Sequence, residues 1–187
     1  MRLTLERLSK QFKNRIAVEN VNAELTEGIY GFLGANGAGK TTLMQMICGI
    51  IAPTAGEVKV NGKNNTEMGE EFRDLLGYLP QEFGYTPGFT AEDFMFYIAS
   101  VKGLDPRYAK RRTRELMELV SLEGDMKRKI RTFSGGMKRR LGIAQALLND
   151  PKILIMDEPT AGLDPTARAD LRKVIAEMEQ DKLIVIS

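Results

Sequence analysis

The chain has 187 residues, enough for one well-cored domain and few for two. Hydrophobic residues make up 43% and charged residues 28%, and the net charge is +2, so the composition is globular and gives no case for a general nucleic-acid or membrane-surface binder. One cysteine, Cys48, and no histidine exclude disulfides, multi-cysteine zinc sites, histidine-ligated metals and histidine-dependent Ser or Cys catalysis, which leaves a carboxylate as the general base.

The opening MRLTLERLSK carries charges where a signal peptide needs an apolar block, and no apolar run approaches a membrane span. The expectation is a cytosolic chain whose membrane role runs through a partner. LTLERL alternates as a strand does. GIYGFLG reads as a short apolar strand ending in a glycine loop, and TTLMQMICGI as a buried helix. GEVKVNG alternates again, through Val58 and Val60, before an Asn-Gly turn. The character then changes. Ala91 to Val101 and Pro106 to Leu122 read as helices, the second opened by Asp105 as cap and Pro106 at the first helical position. Residues 84–148 thus form a helical lobe inserted within one domain spanning 1–187. KILIMDEP is an apolar strand ending in acids, Asp164-Pro165 opens another helix, and KLIVIS is apolar enough for an interior strand. Continuous apolar strands interleaved with helices predict an α/β fold with a mainly parallel sheet covered on both faces.

GANGAGKT, Gly34 to Thr41, fits the phosphate-loop pattern G-x-x-x-x-G-K-[ST] between a strand and a helix. Glycines let successive backbone N–H groups curl round phosphates, and the following helix points its positive end at the same place. Gly34, Asn36, Gly37, Ala38, Gly39, Lys40, Thr41 and Thr42 are the candidate nucleotide-binding residues. Lys40 is the cation of the loop, and the Thr41 hydroxyl can ligate Mg²⁺. ILIMDEP delivers Asp157 and Glu158 at the carboxyl end of a strand, where ligands sit in open α/β sheets. Asp157 can hold the metal and Glu158 can deprotonate a water.

A second glycine loop, Ser134-Gly135-Gly136 within IRTFSGGMKRRLG, raises the question of why one small domain carries two. Alone it reads as a turn before a helix. With these motifs in order, the sequence resembles the ATP-binding cassette (ABC) ATPases over nearly its whole length. That resemblance implies ATP and Mg²⁺ as cofactors, a P-loop core with an N-terminal antiparallel β subdomain, and two chains facing head to tail. Ser134, Gly135 and Gly136 would then close over a nucleotide held by a second subunit. Met137 departs from the family's usual glutamine. Gln81, in YLPQEFG, matches the glutamine that senses the γ-phosphate and Mg²⁺. Asp164, in AGLDP, matches a loop at the dimer interface and is also an ordinary helix start. Phe12 matches an aromatic that stacks on adenine, with a core aromatic as the other reading. Lys138, Arg139 and Arg140 read as a solvated basic face.

The family's switch histidine, expected soon after KLIVIS, is not in the chain. The expectation is a shortened chain, weak in hydrolysis and dimerisation, with an apolar edge. The motifs look most like bacterial exporters whose permease is a separate chain, which implies a cytoplasmic ATPase held peripherally at the membrane, with no nucleic acid as partner. The alternative is a nucleic-acid- or ribosome-associated cassette ATPase. Against it, no heptad run separates the motifs and only one cassette is present. A GTPase reading lacks a guanine-specifying Asn-Lys-x-Asp.

Overall fold

The computed structural model describes residues 1–177 and 181–187. The alternating start forms β1 (Leu3–Phe12), which pairs antiparallel with β2 (Arg15–Leu25) and with β4 (Ala55–Val60). A short β5 (Lys63–Asn64) completes a four-stranded sheet in the order β2-β1-β4-β5. The inward set Leu3, Leu5, Leu8, Val58 and Val60 gives this sheet one buried face. β2, which the sequence pattern leaves unassigned, is exposed along most of its length and so shows no clear apolar alternation.

The second sheet is parallel. β3 (Gly28–Gly31), β6 (Leu76–Leu79), β7 (Ile153–Met156) and β8 (Leu183–Ile186) lie in the order β3-β8-β7-β6. β8 is therefore interior, as its composition predicts. The apolar edge expected at the end of the chain is not formed by this strand, because β3 and β7 pair with its two sides. β7 is buried at every residue. Ile153 and Ile155 face the core shared with the antiparallel sheet and α1 (Lys40–Ile47), while Leu154 and Met156 face the core of the helical layer. One strand thus joins two cores, which is why its sequence is continuously apolar. In α1, Met44, Met46 and Ile47 are buried, and Cys48 follows them into the same core, where burial pushes its thiol pKa up.

Short helices α2 (Asn65–Met68) and α3 (Glu70–Leu75) lead into β6. The helical layer is α4 (Ala91–Val101), α5 (Pro106–Leu119) and α6 (Gly135–Ala146), and α7 (Pro165–Glu177) follows the acidic loop. Thr90 and Asp93 make a reciprocal cap that starts α4, and Asp105 with Pro106 starts α5 as its sequence predicts. α5 stops three residues before the predicted Leu122. Ser121 turns left-handed at φ 53°, and Leu122 donates its N–H back to Met117 O at 2.8 Å. That closing turn returns Leu122 to the core.

Candidate functional site

All four parallel strands deliver chemistry at their carboxyl ends. The Gly34–Thr41 loop follows β3, Gln81 follows β6, Asp157 and Glu158 follow β7, and Ser187 follows β8. The ladder continues just past the strands, with Asp157 N donating to Leu79 O at 2.9 Å and Ser187 N to Met156 O at 3.2 Å. The first of these bonds holds the acid and glutamine segments side by side.

Asn36, Gly37, Gly39, Lys40, Thr41, Thr42, Gln81 and Glu158 line one cavity of about 370 Å³. Gly39 stands just before α1 at φ 94°, and a Cβ there would meet Ala17 O at 2.1 Å, so only glycine fits. No side chain caps α1. Its first N–H groups are left for a ligand. Lys40 Nζ donates to Gly34 O at 2.7 Å and Ala35 O at 3.1 Å, folded back on its own loop. Arg15 lines the same cavity and donates from Nη2 to Gly37 O at 3.1 Å. Lys40 is therefore not the sole cation here. Arg15 comes from β2, and nothing in its local sequence marks it.

Asp157 is 1% exposed and, unlike Glu158 next to it, does not itself line the cavity. Its Oδ1 accepts from Ser187 Oγ at 2.6 Å, and its Oδ2 is buried without a partner. This orphaned carboxylate oxygen, with the Thr41 hydroxyl and the Gln81 amide that line the cavity, makes a hard-oxygen donor set of the kind that fits Mg²⁺. Among the described residues no group of three or more His, Cys, Asp and Glu could cage a metal alone. Substrate phosphate oxygens would have to complete the coordination. Glu158 has φ 51°, a left-handed conformation costly for a residue with a Cβ. It is pinned there by its N–H, which donates to Ser187 Oγ at 2.9 Å. Ser187 thus orders both acids, a role that the sequence pattern does not signal.

The remaining candidates lie outside this cavity. Phe12 is 47% exposed with Lys10 Nζ 5.1 Å from its ring centroid, so it is not a core aromatic. Ser134 caps α6 by accepting from Met137 N at 3.2 Å. A Cβ on Gly136 would stand 3.4 Å from Gly162 O, so the Ser134 loop lies beside the loop that holds Asp164. Asp164 Oδ1 accepts from Ala167 N at 2.9 Å and starts α7, and this bond holds its carboxyl below the usual carboxylate range. The expected basic face is overturned at Arg139. It is 5% exposed because its guanidinium turns inward to bond backbone carbonyls of the Gln81 and Asp157 segments. Burial lowers its pKa below the ordinary arginine value, opposed by Asp157 and Glu158.

The chain is 38% identical over 186 residues to an uncharacterized ABC transporter ATP-binding protein of Bacillus subtilis, and the match covers 99% of this chain and 61% of that protein. It is 37% identical to the bacitracin transport ATP-binding protein BcrA of Bacillus licheniformis, over 96% of this chain and 58% of BcrA. The chain spans about three fifths of the length of these relatives. The solved dimeric structure of a bacterial ABC transporter cassette superposes with a TM-score of 0.87 at 27% identity, covering 98% of this chain and 86% of that one. The ABC transporter family itself is matched over residues 18–161. That span takes in the phosphate loop, Gln81, the Ser134 loop and both acids, and the chain belongs to the ABC transporter family as one of its ATP-binding cassettes.

Proposed function

We propose that the chain binds and hydrolyses ATP as the nucleotide-binding subunit of a membrane transporter. The observation that carries this is the single cavity in which the α1 N-terminus, Lys40 and Thr41 face Gln81 and Glu158. The loop N–H groups and Lys40 take the phosphates, with Lys40 leaving its carbonyl partners to do so. Arg15 adds a second cation. Thr41, Gln81 and Asp157 would hold Mg²⁺, which neutralises phosphate charge when bound. Glu158, which lines the cavity opposite the phosphate loop, accepts the proton of the attacking water. Phe12, exposed at the end of β1, supplies a face for adenine.

The partner reading has separate support. The Ser134 loop does not line the cavity, so its service to a nucleotide needs a second cassette. The dimeric structural relative supports that arrangement. Beside Gln81, a groove of about 430 Å³ is lined by Pro80, Phe83, Tyr85, Phe94, Tyr97 and Ile98, and Phe96 and Val101 are exposed nearby on α4. No helix among the described residues is long and apolar enough to cross a membrane. An aromatic groove next to the γ-phosphate sensor suits a separate permease chain at the cytoplasmic face of the membrane. Relatives named for bacitracin transport and linearmycin resistance support an export-leaning reading.

The test is phosphate release from Mg-ATP by the chain, alone and with a co-purified multi-span membrane partner. Release that a chelator abolishes is expected. Nucleic acid as the stimulating partner, or no release under any of these conditions, overturns the reading.

A further inference from the structure

Lys138, Arg139 and Arg140 occupy the first turns of α6, where a cation opposes the helix dipole. Lys138 sits over the Tyr85 ring, 4.8 Å from its centroid. Arg139 goes inward and is 5% exposed. Taking a guanidinium out of water is costly, and an apolar side chain of similar length would fill the space without that cost. What arginine alone supplies is a planar fork of N–H donors.

The fork spans two strand ends. Nη1 donates to Pro80 O at 2.7 Å and to Gln81 O at 3.1 Å, and Nη2 donates to Asp157 O. Pro80 and Gln81 follow β6, while Asp157 follows β7 and immediately precedes Glu158. Nε remains buried without a partner, a further cost that the packing bears. Gly142, on the same helix, lets α6 lie close to this segment: a Cβ there would meet Leu79 Cδ1 at 2.6 Å and Phe83 Cδ2 at 3.1 Å. The helix that starts at the Ser134 loop is therefore seated on the glutamine segment and tied to the acid segment by one side chain.

We propose that Arg139 is a positioning residue, a clamp that fixes the backbones of Gln81 and Asp157 to each other and to the helix carrying the Ser134 loop. The loop that serves one nucleotide and the groups that hydrolyse another then move as one piece. This rests on the ATPase reading, and it assigns to a residue outside the cavity control over the spacing of Gln81 and Glu158.

The test uses the chain with its cassette partner. Arg139→Met keeps bulk and removes every donor. Arg139→Lys keeps the charge, but a point donor cannot bridge both strand ends. Both variants should lose about tenfold or more in kcat, counted per ATP-binding site, while KM and ATP affinity stay within about twofold. Arg139→Gln, with a planar amide donor, should recover part of the loss. Combining Arg139→Met with Gln81→Ala should cost less than the product of the two single losses, since both act through Gln81. Hydrogen exchange without nucleotide should rise in Arg139→Met at residues 81–83 and 157–161 and not in the antiparallel sheet. That readout survives failure of the ATPase reading, which would appear instead as no turnover in the unmodified chain. If Arg139→Met does not fold, Arg139→Lys carries the measurement. Unchanged turnover per binding site, multiplicative losses, or exchange that rises throughout the chain would each overturn the clamp.

Discussion

Two helices in this chain begin at glycine-rich loops, and they begin differently. α1 follows Gly39 with no side-chain cap, and its N-terminus opens on a cavity with Lys40 and Arg15 at the rim. α6 follows Ser134, whose hydroxyl already accepts from Met137 N, and its first residues do not line the cavity at α1. The first terminus has donors and charge but is unfilled within the chain. The second is satisfied locally, and of the cations that follow it Arg139 is turned inward and Lys138 lies over the Tyr85 ring. On the proposed function, the first would be a receptacle and the second a lid for a receptacle in another chain.

The sharpest break in that comparison is at Glu158. Glu158→Gln keeps the receptacle and removes the base, so turnover should fall about 10²- to 10⁴-fold, the usual worth of a positioned general base. ATP binding should persist, and light scattering with ATP should show a trapped dimer; normal hydrolysis would remove Glu158 from its role. Lys40→Ala should lower Mg-ATP affinity about 10- to 100-fold, because charged hydrogen bonds are worth about 1.5–3 kcal/mol each. Calorimetry showing unchanged affinity would end the receptacle account. The lid account is tested by mixing subunits. A verified dimer of one Lys40→Ala chain and one Ser134→Ala chain keeps one intact composite site, so it should regain activity that neither homodimer shows. No recovery would place both loops on a single site.

Smaller effects separate the rims. Arg15→Ala should weaken ATP binding about two- to tenfold, since Arg15 lines the cavity from β2 and is not part of the phosphate loop itself. An effect as large as that of Lys40→Ala would make the two cations equal. The smallest is at Asp164. Its carboxyl is held low by the Ala167 N–H, so its contribution to stability is full above the ordinary carboxylate pKa of about 3.9 and is lost as pH falls through the lowered folded value. Asp164→Asn keeps a capping oxygen without the charge. The melting-temperature gap between the two should be present at neutral pH and close in strong acid; a gap independent of pH would put the effect elsewhere.

The receptacle is legible in the sequence because phosphate fixes residue types at fixed local spacing. Gly39 must be glycine, Lys40 must follow it, and two acids must end an apolar strand. The residues that escape such reading act across long separations. Arg15 meets Gly37, Ser187 meets Asp157, and Arg139 meets Pro80 and Asp157. No periodicity encodes those contacts. Arg139 even looks like its opposite, since a charge flanked by charges reads as surface. Among strands, β7 and β8 are legible because both faces are buried, whereas β2 is masked by exposure and β6 by a glycine and two half-buried positions among its four residues.

Cys48 has a practical consequence. It is the chain's only thiol, packed in the core below α1, and its raised pKa keeps it out of the thiolate form that alkylating reagents need. The native sequence therefore offers a nearly silent background for thiol labelling, with no cysteine to delete and no core to repack. Dyes on Glu19→Cys and Glu123→Cys, exposed positions on the antiparallel sheet and beyond the end of α5, would report by energy transfer whether the helical layer moves against the antiparallel sheet when Mg-ATP is added.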